Sequence, residues 1–195
     1  MTTLAQIEDI LDDGGVCVLP TETIYGIAGR AHDQDAIDRI YEIKGRVFTK
    51  PLAVCIGSIA AAEKFAEFND IARQLADTFW PGSLSLVLPA TDILLDPRCY
   101  GQHGTTISLR FPDIEWTDTL LKTPLALTSA NRAGEPESAT ANTTINARVD
   151  AVLDSGPCEN GAPSTILSVT GKGVKLLRQG ALPISVLKQI DMNWL

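Results

Sequence analysis

Short apolar runs, separated by helical stretches, constrain this chain's fold more than any other feature. The runs are VCVL (16–19), PLAVCI (51–56), SLSLVL (83–88), TTISLRF (105–111), PLALTSA (124–130), DAVLDSG (150–156), STILSV (164–169) and VKLLRQG (174–180). Each has the length of a strand. TTISLRF alternates, with Ile107, Leu109 and Phe111 on one side and Thr106, Ser108 and Arg110 on the other. LAQIEDILDD (4–13) sets Leu4, Ile7, Ile10 and Leu11 on one helical face, and Gly14 and Gly15 end it. DQDAIDRIYEIKG (33–45) reads as a helix with Asp33 as N-cap, Ala36, Ile37, Ile40 and Tyr41 as its apolar positions, and Gly45 as its stop. Ser58 is placed to cap IAAAEKFAEF (59–68), and Asp70 to cap IARQLADTF (71–79). PISVLKQI (183–190) reads as a short helix with Pro183 in its first turn. Helices and strands interleave without a strict βαβ beat. That predicts an α/β fold with a mixed parallel/antiparallel sheet and flanking helices, in a single domain over 1–195.

Composition narrows the function. With 45% hydrophobic and 21% charged residues the chain can bury a core and is not disordered. No apolar run approaches the roughly 20 residues that span a bilayer. The N-terminus, MTTLAQIEDILDDGG, is acidic where a signal peptide is basic and then apolar. The expectation is a soluble, cytoplasmic protein with no membrane partner. Cys17, Cys55, Cys99 and Cys158 form no C-x-x-C pair, and His32 and His103 do not complete a zinc site. No G-x-S-x-G elbow and no G-x-x-x-x-G-K-[ST] loop occurs. The net charge of −8 opposes bulk binding of nucleic acid, while a local basic cleft could still grip a small polyphosphate or touch RNA.

Polar groups cluster where strands end. LPTETIYGIAG (19–29) places Thr21, Glu22 and Thr23 after a strand that Pro20 stops, with Gly26 and Gly29 freeing the backbone; it is either a ligand-binding strand end or an ordinary turn. KGRVFTKPL (44–52) carries Lys44, Arg46 and Lys50 with no acid between them. Lys44 lies in a helix's last turn, where a cation relieves the macrodipole by about 0.3–1 kcal/mol. Arg46 and Lys50 lie beyond that helix on an extended arm suited to clamp phosphate. Arg110 is either a solvated-face residue or an anion ligand. TSAN (128–131), APSTI (162–166) and LLRQG (176–180) add Thr128, Ser129, Asn131, Ser164, Thr165 and Arg178. Hydroxyls, amides and arginines without a nucleophile–base pair suit the binding and orienting of anions better than covalent catalysis.

In their order, PTETIYG, KGRVFTKPL, FWPGSLSLVL, TTISLRFP, TSANRAGEP, STI and LLRQG resemble the threonylcarbamoyl-AMP synthase (YrdC-like) family, over residues 16–180. The chain looks like that family's short single-domain form. The resemblance implies a YrdC/RibB-like fold: a twisted mixed sheet with a concave, positively charged cleft. It implies a nucleotidyltransferase that condenses L-threonine, bicarbonate or CO2, and ATP into L-threonylcarbamoyladenylate and pyrophosphate. Mg²⁺ would arrive with ATP, with no metal held by the protein alone. A downstream tRNA threonylcarbamoyl-transfer complex would then modify adenosine 37 of tRNAs that read ANN codons.

By the same resemblance, Lys44, Arg46, Lys50, Thr106, Ser129, Glu137 and Arg178 are expected to contact ATP. Thr23, Cys55, Arg110, Leu127 and Ser164 are expected to line the threonine site, with Arg110 on the carboxylate, and Asn131 to shape the SAN turn. No residue is assigned a covalent or acid–base role. Three positions depart from the family pattern: Cys55 where many members have His, Lys50 where Asn is frequent, and Glu137 where many have Ser. Two alternatives stay open. One is a non-catalytic RNA-binding module of the same fold. The other is a domain that handles a carbamoyl-adenylate, usually found inside a larger chain.

Overall fold

The computed structural model describes residues 2–171 and 173–195. In chain order the elements are α1 (Leu4–Asp12), β1 (Cys17–Leu19), β2 (Gly26–Arg30), α2 (Gln34–Lys44), β3 (Ala53–Cys55), α3 (Ile59–Ala62), α4 (Asp70–Phe79) and β4 (Leu84–Pro89). Then come β5 (Thr106–Arg110), α5 (Thr117–Leu120), β6 (Leu125–Ser129), β7 (Ala151–Val152), β8 (Thr165–Thr170), β9 (Gly173–Arg178) and α6 (Ile184–Leu187). The strands form one sheet in the order β7-β1-β2-β6-β3-β5-β4-β8-β9. It is mixed, as expected. The pairs β1–β7, β3–β5 and β4–β8 are parallel, and the other neighbours are antiparallel.

Local chemistry explains the helices. Thr3 and Gln6 form a capping box on α1: the Gln6 amide donates to Thr3 Oγ1 at 3.3 Å, and the Thr3 amide donates to Gln6 Oε1 at 2.9 Å. Asp33 Oδ1 accepts from the Ala36 amide at 3.0 Å, and Gly45 closes α2 at φ 59°. Both caps agree with the sequence reading. For α4 the cap is one residue earlier than expected: Asn69 Oδ1 accepts from the Ala72 amide at 2.8 Å, and Asp70 is the first helical residue. α3 is shorter than the periodicity of IAAAEKFAEF suggests, because Ala66 bridges to Ala90 and the Glu67 amide donates to Pro89 O at 2.9 Å. A tertiary contact there outweighs helix propensity.

At its β1–β2–β6 end the sheet is buried on both faces. Val18, Ile27, Val54, Leu86 and Leu109 join one core with Ile37 and Ile40 of α2 and Leu75 of α4. Cys17, Leu19, Ala28, Leu125 and Leu127 face the other way, with Ile7 and Leu11 of α1 and Leu120 of α5. Each fully buried Leu or Ile contributes about 1.5–3 kcal/mol relative to exposure. β2 was not expected as a strand, since Gly26 and Gly29 read as turn residues. Both glycines instead allow close packing: a Cβ on Gly26 would lie 2.7 Å from Leu127 Cδ2, and one on Gly29 3.0 Å from Ala36 Cβ. On the second face α1 packs on β1 and β2. Beyond it, where β6, β3, β5, β4 and β8 continue the same face, the sheet floors a cavity.

Candidate functional site

Cross-strand register builds the floor of this cavity. Cys55 of β3 stands opposite Arg110 of β5, Arg110 opposite Ser85 of β4, Ser85 opposite Ile166 of β8, and Ile166 opposite Arg178 of β9. Residues paired in this way project to one face. The five therefore form a single row across five strands, and all five line the cavity. Two residues along, Ala53, Ser108 and Val87 form the next row, consistent with the period of two. The PTET turn, the basic arm, the SAN loop and Pro163–Ser164 supply the walls around about 370 Å³. That volume lies within the usual range for a ligand site, about 300–1,000 Å³.

Arg46, Arg110 and Arg178 converge on this space. Arg110 is buried; its Nη2 donates to Glu22 Oε1 at 2.7 Å and to Thr23 Oγ1 at 2.9 Å. Arg178 donates from Nη2 to Ser164 O at 2.8 Å and Ser164 Oγ at 3.2 Å, while Ser164 Oγ lies 2.8 Å from Ser85 Oγ. Arg46 donates from Nε to Lys50 O at 3.2 Å and from Nη2 to Pro51 O at 3.0 Å, which folds the arm back on itself. Burial lowers the pKa of both Arg46 and Arg178 from the ordinary arginine value. Guanidinium groups gathered around one cavity favour an anion, and the planar fork of Arg suits carboxylate and phosphate oxygens.

Of the residues expected from sequence, Arg46, Cys55, Arg110, Leu127, Ser129, Glu137, Ser164 and Arg178 line this one cavity. Cys55 is a neutral thiol, because burial pushes its pKa up to about 12. Glu137 sits where its charge partly opposes the burial-driven fall in the pKa of Lys44 and Arg178, so it has cationic neighbours. Asn131 is tied into the SAN turn: its Nδ2 donates to Arg132 O at 3.1 Å and Glu135 O at 2.6 Å.

Four residues of the expected set lie outside the cavity lining. Lys44 does not line the cavity; it lies beneath the SAN loop, 3% exposed. Its Nζ donates to Ser129 O, to Asn131 O at 2.7 Å and to Asn131 Oδ1 at 3.3 Å. An ammonium has three protons, and these acceptors engage all of them. Thr106 shares a strand face with Ser108 and Arg110 but lies one row too far from the strand's C-terminal end, and Ser108 occupies the lining position instead. Lys50 is exposed and outside the lining, although its carbonyl is tied to Arg46 and to the Tyr41 hydroxyl. Thr23 is fully buried behind Arg110. Sequence reading also left Ser85 and Glu22 without roles. Only strand pairing reveals Ser85, and only the ion pair with Arg110 reveals Glu22. Among the described residues no group of three or more His, Cys, Asp or Glu side chains could hold a metal ion.

The fold is a mixed α/β sheet whose floor carries a cavity lined by arginines and hydroxyls. The profile of the Sua5/YciO/YrdC family, described as telomere recombination, matches residues 9–180, and the chain belongs to this family. It is 34% identical over 185 residues to a threonylcarbamoyl-AMP synthase of Pyrococcus abyssi, covering 91% of this chain and 54% of that protein. It is 33% identical over 178 residues to a putative threonylcarbamoyl-AMP synthase of Methanocaldococcus jannaschii, covering 90% of this chain and 84% of that protein. The crystal structure of P. abyssi Sua5 complexed with L-threonine superposes with a TM-score of 0.88 at 32% identity, over 95% of this chain and 56% of that one. The chain thus spans about half the length of the P. abyssi relative and most of the M. jannaschii one.

Proposed function

We propose that the chain is an L-threonylcarbamoyladenylate synthase, a nucleotidyltransferase using L-threonine, bicarbonate or CO2, and ATP. One observation carries this reading: Arg46, Arg110 and Arg178 converge on a single cavity together with Ser85, Ser129 and Ser164. The names of the relatives and the threonine complex of the P. abyssi protein support it. Arg110 takes the threonine carboxylate, beside Cys55, Leu127 and Ser164, with Thr23 behind it. Arg46, Arg178 and Ser129 take the nucleotide, and Lys50 reaches it from the arm. Lys44 and Asn131 act indirectly by holding the SAN loop.

The chemistry asks little of the protein beyond this. The threonine amine adds to CO2, a C–N bond forms and a proton leaves the nitrogen. A carbamate oxygen then attacks the α-phosphorus of ATP, and the bond to pyrophosphate breaks. Positioning and charge neutralisation dominate such transfers. Glu137 is the one carboxylate lining the cavity among the described residues, so Mg²⁺ is read as a companion of ATP. The product would pass to a tRNA-modifying complex that acts on adenosine 37. Cytoplasmic residence goes with that role; among the described residues no helix is long and apolar enough to cross a membrane.

The test is to incubate the pure protein with ATP, bicarbonate and L-threonine and to follow pyrophosphate and the adenylate by mass. Threonine-dependent formation of both is expected. Intact ATP binding with no threonine-dependent product refutes the proposal.

A further inference from the structure

The PTET turn holds a buried ion pair whose purpose the proposed reaction does not state. Arg110 and Glu22 are 5% and 8% exposed, and Arg110 Nη2 lies 2.7 Å from Glu22 Oε1. Ser83 Oγ approaches the same carboxylate oxygen at 3.4 Å. Glu22 Oε2 is buried and has no hydrogen-bond partner among the described residues. A buried carboxylate with an unpartnered oxygen is unfavourable unless something answers it.

The hydroxyls beside it point the same way. Thr21 has one hydroxyl proton, and the Ile24 carbonyl at 2.7 Å can only accept it. In the 2.7 Å contact between Thr21 and Thr23 the proton therefore belongs to Thr23. Thr23 Oγ1 is left as an acceptor, and it faces Arg110 Nη2 at 2.9 Å. The wall behind the guanidinium is thus acceptor-rich and carries a fixed negative charge. Guanidinium groups alone would take any carboxylate or phosphate. A carboxylate fixed against one of them, screened by little water, repels a second simple anion and is compensated by a ligand that brings its own cation.

We infer that Glu22 is a positioning and specificity-determining residue: acting through Arg110, it selects a zwitterionic α-amino acid over a simple carboxylate. The inference rests on the reading of this cavity as an amino-acid site and adds the basis of its selectivity. Glu22 does not itself line the cavity; it orients the guanidinium that receives the ligand's carboxylate, and its charge, felt through Arg110, favours a ligand that also carries an ammonium.

Calorimetric titration of the wild type and of Glu22→Gln tests this, with two ligands: L-threonine and its 2-hydroxy counterpart, 2,3-dihydroxybutanoate. The amide keeps the shape and removes the charge. The wild type is expected to prefer L-threonine by about tenfold or more, the scale of one charge-assisted contact. In Glu22→Gln threonine binding weakens by a similar factor, while binding of the hydroxy acid holds or tightens. A merely structural role lowers both affinities together, and that result overturns the inference. If Glu22→Gln does not fold, the wild type still decides: equal affinity for the two ligands overturns the inference alone. Absence of L-threonine binding to the wild type refutes the proposed substrate as well.

Discussion

Replacing Lys44 with Met removes an ammonium held by Ser129 O, Asn131 O and Asn131 Oδ1. Burial, with the charge of Arg46 adding to it, lowers the Lys44 pKa from 10.5 to about 8. At about 1.4 kcal/mol per pKa unit, the charged form carries about 3 kcal/mol of penalty on folding. Below pH 8 the folded and unfolded chains both hold the proton, and the penalty is present in full. Between about 8 and 10.5 the unfolded chain keeps a proton that folded Lys44 has shed, so this group makes stability rise with pH. Other groups titrate in the same range, and the difference between wild type and Lys44→Met cancels them. Urea denaturation should show that difference moving in favour of the wild type by about 2.5 kcal/mol from pH 7 to pH 10. A difference independent of pH refutes the buried-ammonium account. At neutral pH the variant should also weaken ATP binding more than threonine binding, because the loop it loosens carries Ser129.

Arg110→Ala leaves Glu22 buried without its partner and should cost about 3–5 kcal/mol of stability; in ligand titrations it should weaken threonine binding more than ATP binding, and unchanged threonine affinity would count against the assignment. Gly26→Ala forces a Cβ to 2.7 Å from Leu127 Cδ2 at the cavity wall; calorimetric melting should register a loss of about 1–3 kcal/mol, and an unaltered Tm would show that Leu127 moves aside freely. Alkylation by iodoacetamide at pH 8, followed by mass spectrometry, should modify Cys158 first. Cys17, Cys55 and Cys99 are buried with pKa values pushed up to about 12, and early labelling of Cys55 would contradict its place in the floor.

The fold was legible where its causes are local. The Asp33 cap and Gly45 stop lie at the ends of one helix, and both were readable. The alternation of β5 placed Arg110 and Ser108 on the same side correctly. β2 was not legible, because a glycine in a strand looks like a glycine in a turn until Leu127 and Ala36 are packed against it. The end of α3 is not legible for a like reason: its apolar spacing continues, but the pairing of Ala66 with Ala90 interrupts the helix.

The family, the mixed α/β class and the three arginines of the cavity are legible along the chain, because motifs, caps and alternation act over a few residues. Tertiary structure decided how those cations are used. Lys44 reads as a helix-end cation, with an ATP contact implied only by resemblance; in the fold its partners lie at Ser129 and Asn131, outside the cavity lining. The sequence leaves Glu22 in a strand end that either binds a ligand or simply turns, and only the folded chain brings Arg110 to it across 88 positions. A hydrogen bond between distant residues depends on which strands become neighbours and in what register. That is set by the joint burial of many side chains, so no short stretch of sequence encodes it.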